Sequence, residues 1–433
     1  MLKTSMKLLP LLVLGAVSGT ASAAGFQLLE QNATGLGNAY AGSAAVSENA
    51  SGQYFNAANL ADLDGRQFST GVNYIELDST FNNSASTNPL GRNNLAKSGV
   101  DGGDAAFVPN FYLALPLSKD LTFGFGLNAP FGMRTAWSKN WIGQYYATIT
   151  DVKAMNFNAN LAYKVNEQLS IGGGINYQKF DAQIETALNG RPLGAPIPDG
   201  LLSVAGDSWA WGYNLGLTFK PSAATKIGVS YRSAVKHELE GKYSVSGFTA
   251  GTVAIGAGVY GLNSTSGNAK VNVKLPDTFI ISATHQLNNK WELLGDISRT
   301  SWSDVPELRV QFSDGSADKV SKYDWRDTWR VAVGANFQAT DAWKLRLGLA
   351  FDQSPVKEGL RTPRLPDQDR VWYTIGAQYK LNKGSNLDVG YAYVKAKSAH
   401  GDETSANPAV TGRLVGDYDS SVQVLGVQYS MNF

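Results

Sequence analysis

The 433-residue chain contains no cysteine. That excludes disulfides and thiolate metal sites, and it sets the chain apart from the disulfide-stapled class of secreted proteins. Charge is also scarce, at 17% of residues against about 25% in an ordinary soluble domain. Its signs nearly cancel: Lys3 and Lys7 are two of 37 basic residues, so without its first residues the chain carries a net charge of about −1 against 36 acidic ones. A balance of this kind gives nucleic acid nothing to hold. Only three histidines occur, His237, His285 and His400, far apart and without metal-ligand spacing. No G-x-S-x-G elbow is present, and Gly172-Gly173-Gly174 lacks the Lys-Ser/Thr of a phosphate loop. The pattern therefore predicts no catalytic centre, no metal and no cofactor. Beyond the N-terminus, no run reaches the roughly 20 apolar residues of a membrane-spanning helix.

What the chain has is glycine (46), tyrosine (19), phenylalanine (18) and tryptophan (10), the types that suit strands, tight turns and membrane interfaces. At the N-terminus, Lys3 and Lys7, the apolar run Leu8 to Val17 and Ala21-Ser22-Ala23 read as a secretory signal peptide over 1–23. Most of the remainder alternates with a period of 2. Leu121, Phe123, Phe125 and Leu127 alternate with Thr122, Gly124, Gly126 and Asn128, and from Trp209 to Phe219 the odd positions are aromatic or Leu. One face of each such strand meets an apolar medium and the other does not.

Strands are expected near 68–78, 106–117, 120–131, 147–165, 168–185, 207–220, 224–242, 269–287, 290–312, 323–338, 342–354, 369–381, 386–397 and 417–433. Short breaks, such as Ser118-Lys119 and Asn288-Asn289, alternate with long ones, such as 79–105 and 243–268. That rhythm predicts an all-β fold, a 14-stranded antiparallel transmembrane β-barrel in the bacterial outer membrane, multi-pass, with both termini periplasmic. A soluble sandwich would also alternate, but would not need the export signal together with this loop rhythm. Apolar residues alternate up to the terminal Phe433, which resembles the signature read by the barrel assembly machinery.

Parity assigns the charges. If Trp325, Trp329, Val331 and Val333 face lipid, Arg326 and Arg330 face the lumen, and so by the same rule do Arg232, Lys236, Lys274, Glu292, Asp296, Lys344, Arg346 and Asp388. Within 168–185 the apolar parity switches between Tyr177 and Phe180, which predicts a β-bulge near 178–180 and leaves the direction of Lys179 open. Asn128-Ala129-Pro130-Phe131-Gly132 cannot continue a ladder, since Pro130 lacks a donor, and reads as a kink in the wall or a loop start. Two long loops are unusually apolar: Leu193, Ile197, Leu201 and Leu202 in one, Phe248 and Ile255 in the other. They read as a binding surface or as packing that closes the barrel mouth.

One stretch follows neither rule. Residues 24–63 are rich in Gly, Ala, Asn and Ser, with isolated anchors such as Phe26, Leu28, Leu36, Tyr40, Tyr54 and Phe55. A solvated leader has no need of such anchors. The segment is expected to be a hatch, or plug, filling a barrel built from 64–433.

Several motifs make the chain similar to the FadL family of outer-membrane long-chain fatty-acid transporters. They are Ala24-Gly25-Phe26-Gln27-Leu28, Gly35-Leu36-Gly37-Asn38-Ala39-Tyr40-Ala41-Gly42, Asn128-Ala129-Pro130-Phe131-Gly132, Trp325-Arg326-Asp327-Thr328-Trp329-Arg330, Phe351-Asp352-Gln353-Ser354-Pro355-Val356 and the stretch Leu365 to Trp372. The resemblance implies passive uptake of hydrophobic compounds, long-chain fatty acids foremost, through an outer-loop groove, a lumen pocket and lateral release at a kinked strand. It implies Phe26, Arg326 and Lys179 at the lumen pocket, Arg326 meeting the ligand carboxylate. It places the lateral opening at Asn128, Pro130, Phe131 and Gly132, and the outer groove at Leu193, Ile197, Leu201, Leu202, Phe248 and Ile255. The family's hatch motif Asn-Pro-Ala stands here as Asn56-Ala57-Ala58. The expected partners are a fatty acid or detergent-like lipid, the lipids of the outer membrane and the assembly machinery, with the chain a monomer. Competing readings are uptake of neutral or aromatic hydrocarbons and, more distantly, an outer-membrane lipid hydrolase or an adhesin.

Overall fold

The structure is a computed structural model that describes residues 25–194 and 197–433. The predicted signal peptide, Ala24 and Pro196 lie outside the described residues. Fourteen antiparallel strands form one closed barrel. In chain order they are β1 (Gln67–Asn83), β2 (Ala105–Pro116), β3 (Leu121–Asn128, resumed as Gly132–Ala136), β4 (Ile149–Lys164) and β5 (Leu169–Leu188). Next come β6 (Gly200–Ser222), β7 (Thr225–Arg232 and Val235–Ser246), β8 (Ser266–Leu275 and Thr278–Gln286) and β9 (Trp291–Thr300 and Glu307–Phe312). The circuit ends with β10 (Lys319–Lys322 and Thr328–Gln338), β11 (Trp343–Asp352), β12 (Arg370–Asn382), β13 (Ser385–Ala396 and Ala399–Thr404) and β14 (Arg413–Asn432). Each strand pairs with the next, and β1 closes on β14 from Gln67↔Asn432 to Asn83↔Gly416. A closed ladder leaves no strand edge exposed, and in lipid every backbone polar group must be satisfied within the protein.

The alternation translates directly into two faces. Trp209, Trp211, Tyr213, Leu215, Leu217 and Phe219 are all exposed on the outside of β6, while Asn214 and Thr218 are buried inside. Outward aromatics mark the rims of the apolar band: Trp291, Trp343 and Tyr379 at the short-turn end, Phe107, Trp329, Phe351 and Tyr373 at the other. Beyond the second rim, outward positions become polar, as in Lys236, Glu238 and Glu240 of β7.

Residues 25–63 lie inside the barrel, with Asp64, Gly65 and Arg66 exposed at its edge. Their Asn content has a structural use, because three short helical turns are each capped by an Asn side chain. Asn32 accepts from Gly35 N at 2.7 Å, Asn49 from Ser51 N at 3.0 Å and Asn56 from Ala58 N at 2.9 Å. The wall meets this irregular backbone closely enough that some strand positions have to be glycine. A Cβ on Gly216 would fall 1.9 Å from Asn56 Oδ1, and one on Gly228 would fall 1.9 Å from Ala44 O. Polar ties complete the docking: Glu48 binds Arg346 at 2.7 Å, Arg346 binds Asp388 at 2.9 Å, and Arg330 donates to Ala39 O at 2.6 Å. Asn56 donates to Ala44 O at 2.7 Å and to Leu217 O of β6 at 3.0 Å.

Ala57 stands at the first position of its helical turn, preceded by Asn56 at φ −152°, ψ 114°. Proline is favoured at that position, and its predecessor needs an extended backbone much like this one. Ala57→Pro is therefore expected to leave uptake unchanged and to stabilise the fold by about 0.4–1 kcal/mol, read from urea unfolding in detergent. Destabilisation would show that Pro does not fit here.

Candidate functional site

Three strand breaks build the site. In β3, Pro130 interrupts the ladder. The first half of the strand pairs with β2 from Phe111↔Leu127 to Pro116↔Thr122, but Gly132–Ala136 pairs only with β4. Residues 105–110 of β2 keep their β1 partners and have none on the β3 side. The wall therefore has an unladdered gap beside the kink. Arg134–Asp104 at 3.0 Å and Ala136 N donating to Gly102 O at 3.0 Å bound it above.

The N-terminal segment supplies the bonds that this kink lost. Gly132 N donates to Phe26 O at 2.9 Å and Leu28 N to Pro130 O at 2.8 Å, with Gln27 and Phe131 facing each other as a β-bridge. Gly25 N is held by Asp367 Oδ2 at 3.0 Å. Phe26 is thereby fixed in an aromatic nest, with ring centroids 5.0 Å from Trp302, 5.8 Å from Phe131 and 6.0 Å from Trp325. Trp302 and Trp325 come from the breaks in β9 and β10.

Above Phe26 lies a cavity of about 530 Å³, within the usual range for small-molecule sites. Its walls are mostly apolar: Phe180 and Ile184 of β5, Val204 of β6, Leu239 of β7, Val271 of β8 and Val310 of β9. His237 also lines it, bonded through Nδ1 to Ser208 Oγ at 2.8 Å and through Nε2 to Gln178 Oε1 at 3.0 Å. Burial lowers the His237 pKa to about 4, so the ring is neutral at pH 7 and the cavity keeps its apolar character. Over the top pack Leu188, Leu202, Val245, Phe248 and Val253, with Leu193, Ile197 and Tyr260 against them.

Among the described residues, one cation on this wall donates only to neutral acceptors, with the carboxyl of Glu403 acting on it through space. Arg364, half-buried in the loop between β11 and β12, donates to Tyr146 O at 3.0 Å, Thr186 Oγ1 at 2.5 Å and Thr150 Oγ1 at 3.2 Å. Burial pulls its pKa down, yet a guanidinium starts too high to lose its proton at neutral pH. Lys274 and Arg309, which also reach the cavity, are ion-paired to Asp304 and to Glu307 and Asp318.

Several sequence expectations change here. Phe26 lines the cavity, and Asn128, Pro130, Phe131 and Gly132 form the kink, but Arg326 is not at the cavity. Asp324 takes a φ of +42° in the break before β10, which turns Trp325 inward and sends Arg326 to Ser354 O at 3.0 Å and Asp369 at 3.5 Å, with its side chain 42% exposed. The parity rule holds from Thr328 onward, so Arg330 does point inward. Lys179 also lies outside: it pairs with Asp181 at 2.8 Å and Asp207 at 3.7 Å on the outer face. The predicted bulge at 178–180 is absent, since β5 keeps an unbroken register with both neighbours. What switches is the medium. Below Gln178 the apolar side chains face lipid, and above it Phe180, Ala182 and Ile184 face the cavity while the outer face turns polar. Lys236 and Lys274 likewise face outward, because the breaks at 233–234 in β7 and 276–277 in β8 shift the phase.

Of the outer-loop set, Leu193, Ile197, Leu202 and Phe248 meet in the cluster over the cavity, where the helix Ala250–Tyr260 lies against residues 191–193. Leu201 is only half-buried, and Ile255 is 66% exposed on the free side of that helix. Arg364 was missed by the sequence reading. Its faint signal is a lone basic residue held between Pro363 and Pro366.

A family model described as outer membrane protein transport protein (OMPP1/FadL/TodX) matches residues 14–433. Outer membrane protein P1 of Haemophilus influenzae is 31% identical, with 95% of this chain and 96% of that protein covered. The long-chain fatty acid transport protein of Salmonella typhi is 29% identical over 88% of this chain and 90% of its own length. Among solved structures, a Pseudomonas aeruginosa FadL homologue superposes with a TM-score of 0.87 at 26% identity, covering 95% of this chain and all of that one. The Pseudomonas putida toluene transporter TodX shares the fold, at TM-score 0.69 and 20% identity over 94% of this chain and 99% of that one. With a family model matched over residues 14–433 and a relative 31% identical over 95% of its length, the chain belongs to the OMPP1/FadL/TodX family of outer membrane transport proteins.

Proposed function

We propose that the chain is a passive outer-membrane channel for long-chain fatty acids, and that it is not an enzyme. The observation that carries this reading is the pairing of an apolar cavity with Arg364, a buried-side cation whose hydrogen bonds all go to neutral oxygens. A carboxylate is the ligand group that would complete it. From the cavity the acyl chain leaves sideways: Phe26 and Phe131 move aside, the segment Gly25–Leu28 releases Pro130 and Gly132, and the gap beside β3 opens toward the membrane. Capture begins at the outer loops, where Ile255 offers an apolar surface. The C-terminus lies on the periplasmic side, at the end of the short turns, whereas Gly25 sits in the lumen, bonded to Asp367. The protein works as a monomer and meets the barrel assembly machinery through its last strand.

The cavity floor supports a second reading. Phe26, Tyr323 and Trp325 present aromatic rings to it, and a neutral aromatic hydrocarbon would need no cation. Mass spectrometry of the compound that co-purifies in the lumen separates the two: a fatty acid supports the first reading, a neutral hydrocarbon the second.

A lipid hydrolase would require a working Ser-His pair, and Ser208 with His237 is one by distance. Its third partner, Gln178, carries no charge to stabilise an imidazolium, and burial keeps His237 neutral. Purified protein is expected to hydrolyse p-nitrophenyl dodecanoate no faster than buffer, before and after His237→Ala. Turnover abolished by His237→Ala would restore the hydrolase reading.

A further inference from the structure

The cavity has a second edge, away from the β3 kink, where the wall is also incomplete. Strands β8 and β9 pair from Thr278↔Thr300 to Gln286↔Glu292, and again from Ala269↔Phe312 to Val271↔Val310. Between these ladders, residues 272–277 of β8 face residues 301–309 of β9. Three extra residues on the β9 side shift the register, and Ser301 N donates to Asp277 O at 3.1 Å across the lower edge. The sequence supplies the cause on both sides: Pro276 and Pro306 lack the donors a ladder needs. The surplus in β9 is taken up by the turn Trp302–Asp304, which drives Trp302 into the barrel against Phe26.

The cavity borders this window. Its lining includes the inward residues Val273 and Val305 together with Asn272, Lys274, Asp304 and Arg309, which face the exterior. Lys274 Nζ and Asp304 Oδ2 span the opening at 2.6 Å, with side chains 36% and 30% exposed. An ion pair so accessible to water is weakly held and reopens readily. Above the cavity, by contrast, Leu188, Leu202, Val245, Phe248 and Val253 pack together.

We propose that the window between β8 and β9 is a lateral entry port for single-chain amphiphiles with an anionic head, and that Lys274–Asp304 is its latch. The head group meets Lys274 and Arg309 on the outer face while the tail passes between Val273 and Val305 into the cavity. The port rests on the transport reading above but adds a route that the β3 kink does not provide: entry at one wall, release at another.

Because the chain has no cysteine, a single thiol can be placed at will. Asn272→Cys, tagged with a bulky maleimide, should obstruct the port, and Lys97→Cys, exposed on the loop between β1 and β2, serves as the tagged control. The full-length protein in phosphatidylcholine vesicles is mixed with cis-parinaric acid, and its fluorescence gives both the association rate and the saturable occupancy. The tag at Asn272→Cys should slow association at least tenfold, while the tag at Lys97→Cys should change it less than twofold. Asp304→Asn, which breaks the latch, should speed association at least threefold. Saturable binding with an association rate within twofold of normal after tagging Asn272→Cys overturns the port alone. An unchanged rate in Asp304→Asn overturns the latch. Absence of saturable binding in the untagged protein overturns the transport reading and the port with it.

Discussion

Arg364→Gln is expected to weaken fatty-acid binding about 10- to 100-fold while leaving the affinity for toluene within twofold. Hydrogen bonds to a charged group contribute roughly 1.5–3 kcal/mol net, and about 1.4 kcal/mol corresponds to a tenfold change in affinity. The estimate applies because Arg364 hydrogen-bonds no described carboxylate and is held by Tyr146 O, Thr150 Oγ1 and Thr186 Oγ1, while the nearby carboxyl of Glu403, its pKa raised by burial to about 8, stays protonated at neutral pH. A ligand carboxylate would thus meet a cation already desolvated and oriented, with little of the reorganisation that an exposed arginine would require. Glutamine keeps a donor and much of the side-chain length, so the change tests charge more than packing. Arg326→Ala is the matched comparison. That side chain is 42% exposed and engaged with Ser354 and Asp369 away from the cavity, and its removal should change affinity less than twofold. Titration calorimetry with oleate measures both variants. A loss in Arg326→Ala together with normal binding in Arg364→Gln would reverse the assignment.

The contrast between these two arginines shows how far the sequence could be read. Period-2 alternation is imposed by lipid on one side and protein on the other, so it located all fourteen strands and the faces of their membrane-crossing parts. Arg330, Arg346 and Asp388 were placed inside by that rule, and they are inside. The rule fails where the strands leave the membrane, for two physical reasons. First, side-chain phase cannot be carried through an irregular break: 323–327 turned Arg326 away, while 233–234 and 276–277 moved Lys236 and Lys274 to the outer face. Second, an apolar cavity inverts the pattern without any change in backbone. In β5 the lipid-facing Ile175 and Tyr177 give way to the cavity-facing Phe180 and Ile184 in continuous register, where the sequence pattern alone predicts a bulge near 178–180. Such an inversion in a regular strand is itself a signature of an internal binding space. Val204 of β6 repeats it, opposite in parity to Trp209 and Trp211. Arg364 was beyond reach because its place depends on how a loop of 17 residues, 353–369, folds over the barrel mouth.

The plug was legible as an anomaly, and its role at the wall rests on details no pattern carries. Only the structure brings Phe26, from one end of the chain, onto Phe131 at the kink and onto Trp302 and Trp325 from two distant strand breaks. The same segment completes the hydrogen bonding of Pro130 and Gly132. Closing the gap and forming the cavity floor are thus one event. Release of the ligand through this gap requires that Gly25–Leu28 come away from β3.

That requirement can be tested by fastening the two together. Gln27 and Phe131 are bridge partners flanked by the Gly132–Phe26 and Leu28–Pro130 bonds, which makes them a non-hydrogen-bonded antiparallel pair with Cα atoms about 4.5 Å apart. That separation lies within the range a disulfide spans, and the chain has no other thiol to compete. The measurement is oleate uptake by cells carrying Gln27→Cys with Phe131→Cys, compared in oxidised and reduced states. The account predicts that oxidation abolishes uptake while saturable binding to the purified protein persists, and that reductant restores uptake. Uptake by the oxidised protein at the reduced rate would contradict release through the β3 kink.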